Sequence, residues 1–500
     1  MGKKRIIHSV MGVVIVQILI ISVFLWFGVE GRQTIFTQIP AWNDEDFYFN
    51  QIKSILAFGQ PLGYYGYDGS HALIGHFGFH GFMILWPYVL VSAIGGLHFY
   101  TIAVTNLLLL CAAEIMFVLL LKISLKQAVI VTLLLNSPLL TFYATTEMVE
   151  AENYFWAIIL AALLVRSVRD SAKINLVYLA VVISLASLCK PTFVIFFVPF
   201  WMLLGKYIAM NEKWKYLSIV LIGTGLCVVI FYYIFSICRA DYFEGTTQLA
   251  KYHVAFDESF LNGIFNILRS FAINLSDPIR TSIAGSVWWY FWGNIYVVLI
   301  CVLSLLYFFS RKDISRWIPA ILSIGTVGGT SILYAGNGRT FYPATVAAAL
   351  MLITGAKGKT LKAALTVSGF FFAMTFMIKG IWGYDSRIYF EAKNENRYES
   401  IERYMSSLKI NVDAKTPWQN TLAIMIDAYP PTEYERSSPA GTGINYYRTL
   451  PRDKSQFKPS WVLLSKNAED CKDRLTGWKY SVIKDDGTAI LMYKGDEEER

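Results

Sequence analysis

The stretch from Pro40 to His80, PAWNDEDFYFNQIKSILAFGQPLGYYGYDGSHALIGHFGFH, is a polar island in an otherwise apolar chain. Three acids, Asp44, Glu45 and Asp46, follow directly on the first long apolar run. An amphipathic segment and a Gly/Tyr/His-rich loop come after them. Carboxylates beside a membrane span are costly to desolvate, so acids kept there point to function. The same residues also suit a helix cap, since Asn43 or Asp44 can accept from first-turn amides and acids favour a helix N-terminus. The chain around them decides between the two.

Of 500 residues, 55% are apolar, 16% aromatic and 16% charged, and the mean hydropathy is +0.45. That excludes an ordinary soluble enzyme and indicates a polytopic membrane protein. The formal charge of +8 comes from basic residues in short clusters between apolar runs. Clusters so placed set topology and do not imply a nucleic-acid partner. Cys111, Cys189, Cys227, Cys238, Cys301 and Cys471 show no CxxC or metal-ligand spacing and read as packing residues. After MGKKR the apolar run continues to about Phe27 without a small-residue cleavage site, as in a retained first span.

Runs able to span occur at about 6–29, 98–121, 127–143, 150–165, 174–189, 192–209, 215–237, 288–309, 316–334, 341–356 and 361–382. With Lys3, Lys4 and Arg5 inside, eleven crossings keep the clusters at Lys122/Lys126, Arg166/Arg169/Lys173, Lys206/Lys213/Lys215, Arg311/Lys312/Arg316 and Lys357/Lys359/Lys362 cytoplasmic. Counting Phe82–Gly96 as a crossing would invert all of them, so it reads as a re-entrant or interfacial segment. The acids, the histidine-rich loop and the long loops then face outward. One of those loops, from Arg239 to Val287, contains SFLNGIFNILRSFAINL, an amphipathic stretch suited to the membrane surface.

The sequence thus predicts an α-helical polytopic domain over 1–384, in the plasma membrane with the N-terminus cytoplasmic. Residues 385–500 are charged and read as a small extracytoplasmic α/β domain. Its expected elements are a helix (394–408), a strand (421–426), a Pro/Ser/Gly-rich loop, a strand (461–464), a short helix (469–475) and a hairpin turning at Asp486-Gly487.

A second acidic cluster, in NSPLLTFYATTEMVEAENYF, supplies Glu147, Glu150 and Glu152 on the outer side. Such carboxylates can bind a divalent cation such as Mg²⁺ or Mn²⁺ or supply a base. They can equally cap the next helix, with Thr146 as N-cap. Lys190 in LASLCKPTFVIFF and Arg339 in YAGNGRTFYP are outer-boundary cations suited to a phosphate, or to snorkelling. His71, His76 and His80 have spacings unlike a strong zinc motif, and suit hydrogen bonds to substrate hydroxyls or to the loop backbone.

A first span followed by DExxY (Asp44, Glu45, Tyr48) and a GYDG-type loop resembles the GT-C class of polytopic glycosyltransferases. The likeness is to relatives of protein mannosyltransferases and bacterial aminoarabinose transferases. It extends through SPLLTFYATTEMVEAENYF, LASLCKP and GRTFYP, over about residues 1–385. Two departures stand out: Glu147/Glu150 where many members carry Asp, and a DED triplet in which the DExxY register favours Asp44 over Asp46.

The resemblance implies transfer of a sugar, with inversion, from a polyprenyl-phosphate donor to a glycan, lipid or protein acceptor of the cell envelope. Asp44 would be the general base. Lys190 and Arg339 would bind the donor phosphate, while Glu45, Asp46, Glu147 and Glu150, with Tyr48, His71 and His76, would position hydroxyls or a divalent metal that some members use. The lipid bilayer supplies the donor's surroundings. Two other classes fit the same inventory: a transporter or flippase for lipid-linked saccharides, using Glu114 and Asn106 inside the bundle, and a non-catalytic assembly partner.

Overall fold

A computed structural model describes residues 3–28, 34–36, 45, 48–49, 51–52, 55–56, 63–64, 71–72, 80–81, 83–98, 100–170, 172–209, 212–238, 248–284, 288–310, 314–333, 336 and 338–377. In the tail it describes 422–425, 444–447, 450, 454, 461–465, 470–485 and 489–494.

The membrane part is a succession of helices: α1 (Lys3–Val23), extended by a π turn (Phe24–Gly28), then α2 (Trp86–Gly95), α3 (Thr101–Leu121), α4 (Leu125–Leu135) and α5 (Pro138–Ala144). Next come α6 (Glu150–Arg169), α7 (Lys173–Cys189), a 3-10 turn (Pro191–Phe196) leading into α8 (Phe197–Ala209), and α9 (Lys213–Cys238). After these follow α10 (Gln248–Glu258), α11 (Phe260–Ala284), α12 (Trp288–Ser310), α13 (Ile314–Leu333), α14 (Gly338–Gly355) and α15 (Gly358–Met377).

Among the described residues six helices are long and apolar enough to cross a membrane, or seven if α4 and α5 form one bent span. The other four expected spans, over α7 and α13 to α15, are helices of 17, 20, 18 and 20 residues. Helix α2, in the segment read as re-entrant, has only 10 residues.

Helix α6 is the centre of the bundle, packed against α3, α14 and α7. Between its first and last turns its sequence is apolar on all sides, as expected of a helix stretch without a solvent face. Glu150, Glu152 and Asn153 sit together at its N-terminal end and are buried, while Arg166 and Arg169 occupy its last turn.

Helices α4 and α5 meet at 85°. Pro138 opens α5 and holds Ser137 extended, with φ −79° and ψ 164°. Inside a membrane, backbone groups freed by such a break need protein partners. Asn136 joins this break to its neighbours. Its Nδ2 donates to Gln17 Oε1 (2.7 Å) and Thr132 O (2.8 Å), its Oδ1 accepts from Gln17 Nε2 (3.1 Å) and Thr141 Oγ1 (3.3 Å), and its carbonyl accepts from Thr375 Oγ1 (3.1 Å). The break is therefore braced from both α1 and α15.

Helices α10 and α11 lie against α13, with Asn274 Nδ2 donating to Ser331 O (2.9 Å) and Tyr252 OH to Ile332 O. Phe260, Leu261, Phe265 and Leu268 remain exposed on α11.

In the tail, five strands form one sheet in the order β4-β3-β5-β7-β6: β3 (Leu422–Met425), β4 (Ile444–Tyr447), β5 (Trp461–Ser465), β6 (Ser481–Asp485) and β7 (Ala489–Tyr493). β3 runs parallel to β4 and β5, while β7 is antiparallel to both β5 and β6. Helix α16 (Asp470–Gly477) precedes the hairpin. Strand β4 corrects the reading of its region as loop. Only four residues long and on the sheet edge, INYY gains its order from pairing with β3 rather than from any alternation of its own. The expected helix over 394–408 lies outside the described residues.

Candidate active site

The acidic loop between α5 and α6 is held rigidly before any carboxylate is considered. Thr145 and Thr146 turn their hydroxyls back onto Phe142 O (2.9 Å) and Tyr143 O (3.0 Å) at the end of α5. From α3, Asn106 Nδ2 donates to Thr146 O and Met148 O, both at 2.8 Å, and Tyr88 OH donates to Asn106 Oδ1 at 2.7 Å. All these groups are buried, so each bond replaces water that cannot reach them. Asn106, weighed from the sequence as a transport group, is in this structure the clamp of the loop. Glu114, its companion in that reading, is buried on the same helix.

Glu147 on the clamped loop donates its main-chain N–H to Glu45 Oε1 at 2.9 Å, which joins the two acidic clusters directly. Glu150, in the first turn of α6, pairs with Arg339, whose Nε–H donates to Glu150 Oε1. A carboxylate there is favoured by the helix dipole as well. The same guanidinium reaches Tyr48 OH at 3.4 Å through Nη2 and lies 5.9 Å from the centre of the Tyr143 ring. Tyr48 in turn meets the His80 ring edge to face at 5.8 Å. Tyr342 OH, near the start of α14, bonds Ser137 Oγ across the bundle.

Lys190 comes from a third direction. Pro191 begins the 3-10 turn and keeps Lys190 extended, with φ −148° and ψ 121°, so α7 stops there. Glu152 Oε1 accepts from Cys189 Sγ (3.0 Å) and Trp156 Nε1 (3.1 Å), tying this corner to α6. On its other side Gly81 N–H donates to Cys189 O at 2.7 Å. The approach is so close that a Cβ on Gly81 would lie 1.8 Å from Leu188 O.

Lys190 is buried and forms no ion pair among the described residues. Burial brings its pKa down to about 8, with Glu150 opposing that shift and Arg339 adding to it. The three side chains thus share one electrostatic neighbourhood.

Of the residues singled out in the sequence, the structure brings together Glu45, Tyr48, Glu147, Glu150, Lys190 and Arg339. His71 is described through its backbone, paired with Tyr64 in a two-stranded ribbon of β1 (Gly63–Tyr64) and β2 (His71–Ala72). Asp44, Asp46 and His76 lie outside the described residues. Among the described residues, no group of three or more His, Cys, Asp or Glu side chains is placed to hold a metal ion. Glu45 and Glu150 already accept from a backbone amide and from Arg339.

Asn106, Tyr88, Tyr143 and Gly81 were not anticipated as parts of this site. The available signal was weak: a lone Asn in an apolar run, and aromatics indistinguishable from packing residues.

No protein-family profile and no curated protein sequence matches the chain. Its structure is similar to that of ArnT from Cupriavidus metallidurans bound to undecaprenyl phosphate, with a TM-score of 0.52 at 10% identity over 99% of each chain. The archaeal oligosaccharyltransferase AglB from Archaeoglobus fulgidus, in complex with an inhibitory peptide and a dolichol-phosphate, gives a TM-score of 0.44 at 12% identity, over 98% of this chain and 74% of that one. The chain is a polytopic α-helical membrane protein with the fold of the GT-C glycosyltransferases.

Proposed function

We propose that the protein is an inverting glycosyltransferase that takes a sugar from a polyprenyl-phosphate donor and gives it to a cell-envelope acceptor. The observation that carries this reading is the meeting of Arg339 and Lys190 around Glu150. Two cations from distant segments, one of them buried without an ion pair among the described residues, suit a phosphate better than a neutral saccharide. The fold shared with ArnT, whose structure holds undecaprenyl phosphate, supports the same assignment.

In this reading the acceptor hydroxyl oxygen attacks the anomeric carbon while the bond from that carbon to the phosphate oxygen breaks. The bonding pair leaves on the phosphate, where Arg339 and Lys190 stabilise the developing charge. The acceptor's proton passes to the carboxylate of Asp44. Glu45 orders the loop bearing Glu147, and Tyr48 and His80 line the approach. The chain crosses the membrane eleven times, with the N-terminus cytoplasmic, the site outside and the tail an extracytoplasmic domain. A reporter fused after Arg500 tests that topology, and a cytoplasmic signal would overturn it.

The phosphate role is tested by donor titration at saturating acceptor. Losing one charge-assisted contact costs about 1.5 to 3 kcal/mol, or roughly one to two decades in affinity. Arg339→Ala is expected to lose that much, with Arg339→Lys a partial rescue because an ammonium lacks the guanidinium fork. An unchanged donor dependence in Arg339→Ala would remove the assignment.

A further inference from the structure

We propose that Glu150 is a built-in counter-anion whose charge lets the Lys190–Arg339 pocket hold a singly charged phosphodiester without retaining the doubly charged phosphomonoester that the reaction leaves behind. The inference rests on the phosphate reading of this pocket and adds to it a device for product release.

The geometry is specific. Glu150 is 1% exposed, so neither bulk water nor salt screens its charge from the pocket. Oε1 takes the Nε–H of Arg339, while Oε2 is buried with no hydrogen-bond partner among the described residues. Lys190, the second cation, feels the same carboxylate. The other buried acids here are Glu45, Glu147 and Glu152. Glu45 is engaged with a backbone amide and Glu152 with Cys189 and Trp156, whereas it is Glu150 that pairs with Arg339 and acts on Lys190. Glu150 is thus the acid set directly on the cations.

A phosphodiester donor carries one negative charge at any accessible pH. Once the sugar leaves, the lipid phosphate has a second pKa of about 6 and is mostly a dianion at neutral pH. Coulomb energy scales with the product of charges, so each positive charge added to the pocket strengthens the dianion twice as much as the monoanion. This difference holds whatever the other charges nearby. Without Glu150 the pocket would favour its product over its substrate more strongly, and turnover would stall on release. A role confined to capping α6 would carry no such distinction between the two ligands.

The test uses the full-length protein in nanodiscs and two probes with one polyprenyl chain, the phosphate and its methyl phosphodiester, at pH 7.5. Glu150→Gln is expected to tighten the monoester about tenfold more than the diester. Glu150→Asp should keep the wild-type ratio. The double variant Glu150→Gln/Lys190→Gln, which restores the net charge, should return to that ratio as well, and can be read even where Glu150→Gln alone does not fold. Equal changes for the two probes in Glu150→Gln, or a double variant with a strongly raised ratio, would overturn the proposal. If wild type binds neither probe, or its binding ignores Arg339→Ala, the phosphate reading itself fails, and the proposal with it. Wild-type binding that depends on Arg339 but shows no Glu150-dependent ratio overturns only the counter-anion role.

Discussion

The main-chain N–H of Glu147 donates to Oε1 of Glu45 at 2.9 Å, between residues 102 positions apart. This bond fastens the first outer segment to the acidic loop of the second cluster. Glu45→Ala leaves a buried amide without an acceptor and is expected to cost about 1 to 3 kcal/mol. Glu45→Gln keeps an oxygen at the same place and should lose much less. Thermal unfolding in detergent measures the difference, and equal losses would show that the bond does not hold the loop.

Asn106 gives a second measure of how firmly that loop is set. Asn106→Leu removes the donors to Thr146 O and Met148 O and strands Tyr88 OH. A loss of roughly 2 to 4 kcal/mol is expected, with about 1 kcal/mol for Tyr88→Phe. Protease protection across residues 145–149 should fall in the first variant and persist in the second.

Gly81 is needed where it stands because the neighbour it would strike is backbone. Gly81→Ala places a Cβ 1.8 Å from Leu188 O, so the backbone at position 81 or the end of α7 must move. A loss of about 1 to 3 kcal/mol is expected, together with weaker anion binding through the displaced Lys190 corner. Gly95→Ala, with nothing within 4 Å among the described residues, is the control and should be silent.

Lys190 sets a pH limit. Its pKa of about 8 means that the cation is present at neutral pH and lost as pH rises through that value. Binding of a polyprenyl phosphate should therefore weaken between about pH 7 and 9, and Lys190→Arg should remove that alkaline limb. The charges facing it are Glu150 and Arg339. The stability sign is opposite. The folded value lies below the unfolded 10.5, so burying the ammonium costs stability at neutral pH, and that cost is relieved as pH climbs from about 8 toward 10.5. A flat binding profile in wild type would mean that Lys190 does not meet the phosphate.

The long helices were legible because apolar length alone writes them, and the end of an apolar run before Pro191 marked Lys190 as a boundary cation, though not its extended backbone. Strand β4 was not legible, since four residues at a sheet edge take their conformation from a partner. Nor could Arg339 and Glu150 be paired from sequence. They are 189 positions apart, and both matched the general pattern of polar residues at helix ends. Asn106 read equally well as a packing residue or a transport group until the carbonyls it clamps were seen.

The most direct test of glycosyl transfer is release of polyprenyl phosphate from a polyprenyl-phosphate sugar by the purified full-length protein, comparing wild type with Asp44→Asn and Asp46→Asn. A general base contributes about 10² to 10⁴ in rate. Wild type is expected to turn over, and Asp44→Asn to lose activity on that scale while still binding donor. Loss only in Asp46→Asn would move the base two positions. Full activity in both variants, or none in wild type with every envelope acceptor class supplied, would contradict the account.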